Sequence, residues 1–262
     1  EYSVNGGEWK KVGENEEVTF GGANGTLRLR GTNTNGTASA DEPYSIIKFT
    51  ETVNVACTGD IRTLLDWRNY NTVETQNARF CNLFEGCSVL TSAPELPATT
   101  LAENCYSGMF SGCISLTSAP KLPATTLAVG CYSNMFNGCT SLTSAPTLPA
   151  ETLANYCYIG MFISCTSLTS APTLSATTLA DYCYSEMFNG CTNLSSVKML
   201  ASKDQITSKD ACCEDWLKDA GTGAKSRTLK VKDQAAYNAL KDNSYLPADY
   251  WQKGKCTVQT KE

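Results

Sequence analysis

The chain has 262 residues, 42% of them hydrophobic, with a net charge of −5 and no histidine. That length suffices for one large core or two to three small ones. The mild charge and the lack of a basic stripe speak against nucleic acid or an anionic membrane as partner, and no apolar run approaches the ~20 residues that span a bilayer. Without histidine, His-based triads, His general bases and imidazole zinc sites are excluded, whereas Ser–Lys pairs, carboxylate pairs and all-Cys metal sites stay open.

The chain starts at Glu1, without an initiator Met, directly in a strand-like segment, so a mature or truncated form is expected, with any signal peptide or anchor upstream. Residues 2–9 read as a hairpin with Asn5-Gly6 at the turn. Segments 17–20, 25–30 and 45–49 alternate like half-buried strands, and 31–42, rich in Thr, Asn, Gly and Ser, reads as a long exposed loop. A small β-sandwich-like domain over 1–56 is expected. Residues 58–67 then read as a helix capped by Thr58, part of a degenerate first repeat that ends at 79–84.

From there the chain repeats. Cys87, Cys113, Cys139, Cys165 and Cys191 are 26 residues apart, as are Phe84, Phe110, Phe136, Phe162 and Phe188, and Leu90, Leu116, Leu142, Leu168 and Leu194. A period of 26 falls in the leucine-rich-repeat range and outside the common helical repeats. Within one unit, Leu101, Cys105, Met109 and Cys113 recur every four residues beside Ala102, Tyr106 and Phe110, which predicts a helix over 100–112. Thr100 can cap it, with Glu103 completing a capping box. The stretch after Cys113 has no helical period and predicts a very short strand near 116–118, before Pro120 and Pro123 end regular pairing. One unit cannot bury its apolar face alone, so the copies must stack, giving a rod of about 20–25 Å at ~4.8 Å per strand.

The pattern Met-Phe-x-x-Cys-x-x-Leu…Leu-Pro…Leu…Cys-Tyr resembles the BspA-type leucine-rich repeats of bacterial cell-surface proteins, common in anaerobes of gut and mouth. The resemblance covers roughly 58–208. The chain departs from it at Cys105, where the family usually has Ile, at Met109, where it usually has Ala, and in the inner prolines Pro94, Pro120, Pro146 and Pro172. The resemblance implies surface display and adhesion or ligand capture, and it supplies no catalytic residues.

At the far end Val197 keeps the alanine column and Leu200 the leucine column, and the pattern fails near Gln205. Charge then rises: only eight charged residues lie between Phe84 and Leu200, whereas Lys209, Asp210, Glu214, Asp215, Lys218 and Asp219 crowd together. A polar α+β cap is expected over 209–262, with helices at 211–220 and 234–240 and strands at 227–232 and 255–259. The fold class expected overall is an α/β solenoid: a right-handed leucine-rich-repeat superhelix of short strands and short helices over 57–208, flanked by the two end domains.

Two columns of cysteine, Cys105, Cys131, Cys157, Cys183 and Cys113, Cys139, Cys165, Cys191, with Cys87 extending the second, predict a buried thiol ladder. Free cysteine buries well, and in-register stacking leaves Cβ vectors parallel, a poor geometry for bridging. Reduced thiols would also suit the anaerobic habitat that the resemblance implies. Cys212 or Cys213 can pair with Cys57 or Cys256, and the sequence leaves this open. The column Tyr106, Tyr132, Tyr158 and Tyr184, joined by Tyr156 and Tyr182, is the candidate ligand-binding row for sugar rings or a protein. The plainer alternative is that each ring packs over its neighbour and exposes only its hydroxyl. Asp204, Asp210, Glu214 and Asp215 lack EF-hand spacing, so no metal is assigned, and no cofactor or catalytic residue is. The expected function is non-enzymatic binding of a host protein or glycan by a monomer at the cell surface or secreted. A structural spacer is the alternative, and an accessory unit of a glycan-processing enzyme a remote one, since the repeats offer only isolated acids where a glycosidase needs a carboxylate pair.

Overall fold

The computed structural model describes residues 1–21, 24–38, 44–50 and 52–260. Its repeats stack as successive coils joined by backbone hydrogen bonds. Within each coil, the expected helix is replaced by a train of tight turns. Asn104, Gly108 and Gly112 all have φ between 53° and 73°, in the left-handed region. The same four-residue rhythm returns at Gly130, Asn134 and Gly138, at Tyr156, Gly160 and Ser164, and at Tyr182, Glu186 and Gly190. Odd-numbered N–H groups bond three residues back, as Met109 does to Tyr106 and Cys113 to Phe110. Even-numbered ones donate to the next coil, as Tyr106 does to Cys131, Gly108 to Ser133 and Phe110 to Met135. An α-helix would spend all these donors internally; here half of them tie neighbouring coils together.

Because the turns repeat every four residues, two adjacent residues of each turn face inward. Cys105 with Tyr106, and Met109 with Phe110, are buried, as are their counterparts in the later coils. The phenylalanines of Phe84, Phe110, Phe136, Phe162 and Phe188 stack at 5.6–5.7 Å between centroids, with near-parallel planes. Each such contact is worth about 0.5–1.5 kcal/mol beyond burial.

The extended side of the coil is thinner in regular pairing than its repeat suggests. Ser118 bridges Ser144, Thr100 bridges Thr126 and Thr152 bridges Thr178, all in parallel. Full strands form near the ends of the array: β1 (Tyr2–Val4), β2 (Leu27–Leu29), β3 (Val55–Ala56), β4 (Leu90–Ser92), β5 (Ser170–Leu174), β6 (Ser196–Met199), β7 (Thr228–Val231) and β8 (Thr257–Gln259). The last four make one parallel sheet in the order β5-β6-β7-β8. Pro172 lies inside β5, the outer strand of that sheet, and the register shifts between Ser170 and Thr173. Proline is tolerated there because an outer strand can spare an N–H. The shift puts Met199, not Leu200, opposite Leu174; Met199 is buried and Leu200 only half-buried.

The N-terminal residues depart from a sandwich. Among the described residues of 1–56, β1 and β2 form a two-stranded antiparallel sheet, and 17–20 and 45–49 are irregular. The hairpin is as expected: Asn5 and Gly6 both have positive φ, the Gly7 N–H bonds the Val4 carbonyl, and Tyr2 and Lys10 exchange two bonds. The Arg30 guanidinium lies between the Trp9 and Trp67 rings, 4.0 and 4.1 Å from their centroids, and pairs with Glu1 at 2.7 Å. Part of the loop at 31–38 is not exposed: Gly36 and Ala38 are buried, and Thr37 and Asn35 exchange backbone bonds with Arg79. The rest of that expected loop, 39–42, lies outside the described residues. The expected helix at 58–67 is a 3₁₀ turn, Ile61–Leu64, capped by Asp60 rather than Thr58. The first repeat still joins the stack, with Val55 opposite Leu90 and the Phe84 N–H bonded to Met109.

At the C-terminal end the expected helix at 211–220 is another coil. Ala211, Asp215 and Asp219 carry the positive φ, four residues apart. Tyr184, Glu186, Phe188 and Gly190 donate to the carbonyls of Cys212, Glu214, Trp216 and Lys218. Cys212 therefore takes the place of Cys183, and Trp216 that of Met187. The coil is longer because α1 (Lys203–Thr207) is inserted before it. Strands β7 and β8 and helix α2 (Gln234–Asp242) fall close to their expected positions. One continuous core runs from Ile61 to Trp251, crossing position 208 without a break. Trp216 and Trp251 are fully buried at its end and donate their indole N–H groups to Tyr245 and Ala220.

Candidate ligand-binding site

The turn rhythm sorts the tyrosines into two sets. Tyr106, Tyr132, Tyr158 and Tyr184 occupy inward positions and are at most 2% exposed. Their rings stack on one another and, at the base, on Phe80, at 5.7–6.0 Å. Burial holds all four hydroxyls well above the usual tyrosine range. Their faces are occupied by each other, so this row presents no ring to a ligand; packing is the role its geometry supports.

Tyr156 and Tyr182 are placed differently. They sit at the left-handed corner of their coils, with φ of 59° and 56°. A bulky residue there is an outlier, costing about 1–2 kcal/mol. Tyr156 is 39% exposed, Tyr182 is half-buried, and the rings stack at 4.9 Å with planes 10° apart. In the same corner column the other coils carry Asn104, Gly130 and Ala211. The two rings thus stand out from a column of small side chains. Alongside them Asn155 accepts a hydrogen bond from the Asp181 N–H, and Asp181 accepts one from the Asp210 N–H, at 3.2 and 3.0 Å.

The ladder cysteines are free thiols, and Cys57, Cys212, Cys213 and Cys256 are free as well. The thiols of Cys113, Cys139, Cys165 and Cys191 each donate to a phenylalanine carbonyl of the preceding coil, at 3.0–3.1 Å. This column is therefore a set of cross-ties, a role that its spacing did not reveal. Burial pushes Cys131, Cys139, Cys183 and Cys191 up to about 12, and it raises Cys105, Cys113, Cys157 and Cys165 too. Thiols so held are inert as nucleophiles at neutral pH.

Among the described residues no group of three or more Cys, Asp or Glu gathers to hold a metal, and no helix is long and apolar enough to cross a membrane. Two shallow depressions flank the segment at 73–76, lined by polar residues such as Asn35, Glu74 and Gln76 on one side and Arg62, Thr99 and Thr100 on the other. No family model, curated protein or solved structure matches the chain.

Proposed function

We propose that this chain is a non-enzymatic binding module that captures a protein or glycan ligand through the stacked Tyr156–Tyr182 pair, with the exposed Tyr156 at its outer end, on the side of a repeat solenoid. One observation carries the reading. Two aromatic residues occupy strained corner positions that neighbouring coils fill with Asn, Gly and Ala. Backbone strain at an exposed aromatic site is a feature that folding alone does not favour.

The finer architecture belongs to the same proposal: a right-handed leucine-rich-repeat superhelix of the BspA type over 57–208, between end domains at 1–56 and 209–262, displayed at a cell surface or secreted, and monomeric. The 26-residue phase of the aromatic and cysteine columns supports it. A structural spacer is the second reading. It is favoured by the scarcity of charge over the repeats, where Ser and Thr fill much of the outer surface.

An array of glycans and extracellular host proteins, probed with the wild-type chain and with Tyr156→Asn/Tyr182→Asn, separates the two. Signals present for the wild type and lost in the variant support the binding module. Signals that the variant retains would rule out the tyrosine pair, and silence throughout would favour the spacer.

A further inference from the structure

The geometry points to a neutral pyranose ring as the group that stacks on the outer face of Tyr156, with its hydroxyls on the carboxamides and carboxylate beside it. This rests on the reading of Tyr156 and Tyr182 as a ligand platform.

The step next to Tyr156 in its column is Gly130, which has no side chain. A Cβ at Gly130 would overlap Oδ1 of Asn104, so the Asn104 carboxamide fills the floor of that step. Asn104 is exposed, and its side chain makes no hydrogen bond among the described residues. Val129, 43% exposed, flanks the same step. The result is an open aromatic face, an apolar shoulder and an unengaged carboxamide at its foot.

A second polar row runs parallel to the rings. Asn155 and Asp181 each use one oxygen to hold the next coil's backbone, which fixes the side chain; the other terminal atom of each makes no hydrogen bond among the described residues. A carboxamide both donates and accepts, and a carboxylate accepts, so the rim suits hydroxyl groups that do both. A pyranose offers that combination: a face of C–H bonds for the ring and a girdle of hydroxyls for the rim. A few placed polar groups around an apolar platform is the usual build of a small-ligand site.

Charge decides between neutral and acidic sugars. Asp181 and Glu186 lie on the coil that carries Tyr182 and Asp210 on the next, and between Phe84 and Leu200 the only basic residues are Lys121 and Lys198. An anionic sugar would meet repulsion. Size argues against a protein as the primary ligand. A stable protein interface buries about 1,200–2,000 Å² around aromatic anchors, whereas the exposed large hydrophobics near this pair are Val129 and little else.

The test is an NMR titration of the full chain with methyl glycosides of glucose, galactose, mannose and N-acetylglucosamine, and with methyl glucuronide as the acidic control, to tens of millimolar. Tyr156→Asn, Tyr156→Phe and Asn104→Ala are titrated in parallel, each with a thermal melt. At least one neutral pyranoside should bind saturably. Affinity should fall about tenfold or more in Tyr156→Asn, persist in Tyr156→Phe, and fall roughly threefold to tenfold in Asn104→Ala. The glucuronide should not bind. Absence of binding by every neutral pyranoside, equal binding of the glucuronide, or full affinity in Tyr156→Asn would each overturn the inference. A protein found on the array that the double variant no longer binds, with no pyranoside effect, removes the sugar and keeps the platform. An array ligand indifferent to both tyrosines removes the platform itself.

Discussion

Raising the pH should unfold this protein at a value where most proteins of its size are intact, because its core is lined with thiols. An ordinary thiol titrates near 9, whereas the buried ladder thiols of Cys131, Cys139, Cys183 and Cys191 are held to about 12. Burial raises the other four members of the two columns likewise. The folded state therefore keeps protons that the unfolded chain releases. Stability is fully present below about pH 9, falls as pH rises toward 12, and levels off above that. At pH 10, about one unit above the unfolded value, each thiol held to about 12 contributes a loss on the order of 1 kcal/mol, and the columns together several times that. That is comparable to the whole stability of a typical domain, about 5–15 kcal/mol. Urea unfolding followed by circular dichroism at pH 7.5, 9.0, 9.5 and 10.0 reads this directly. The midpoint should collapse over the last unit. Lysine and tyrosine also begin to titrate there, so Cys131→Ala is the control: its pH slope should be smaller by about one proton. A midpoint at pH 10 equal to that at pH 7.5, or an unaltered slope in Cys131→Ala, would refute the buried ladder.

Two further outcomes test the coil geometry. Gly108→Ala places a side chain at φ 60° against Oδ1 of Asn82, and should cost about 1–3 kcal/mol in chemical denaturation, with part of the loss recovered by adding Asn82→Gly. Arg30→Met removes the cation held between Trp9 and Trp67. Amide exchange over residues 1–10 should then quicken roughly tenfold while the urea midpoint of the coils stays put, as expected for a local closure separate from the main core.

The 26-residue phase makes the stack legible in the sequence, because residues in register must share an environment. The aromatic and cysteine columns are buried in the order that the phase implies. The local conformation differs from the helix that the sequence predicts, for a physical reason. A side-chain period of four fits one face of an α-helix and also fits a train of four-residue turns. The discriminating signal was present in Asn104, Gly108 and Gly112, since glycine or asparagine at every fourth position serves left-handed corners and weakens a helix. The same ambiguity between helix and turns covers the coil at 211–220, where Cys212 and Trp216 stand in for Cys183 and Met187 after the insertion of α1. It also merged two kinds of tyrosine. Tyr156 and Tyr158 are two residues apart, one at a corner and one inside. Only the phase of the turns distinguishes them.

The thermal midpoint of Tyr156→Asn/Tyr182→Asn tests most directly whether the stacked pair is kept for binding. The substitution restores the asparagine found at the same corner in Asn104. It relieves about 1–2 kcal/mol of strain at each position and forfeits one ring stack worth about 0.5–1.5 kcal/mol. A midpoint equal to the wild type or a few degrees higher is expected. A fall of several degrees would contradict the proposal, because the pair would then be holding the coils together and its exposure would need no ligand.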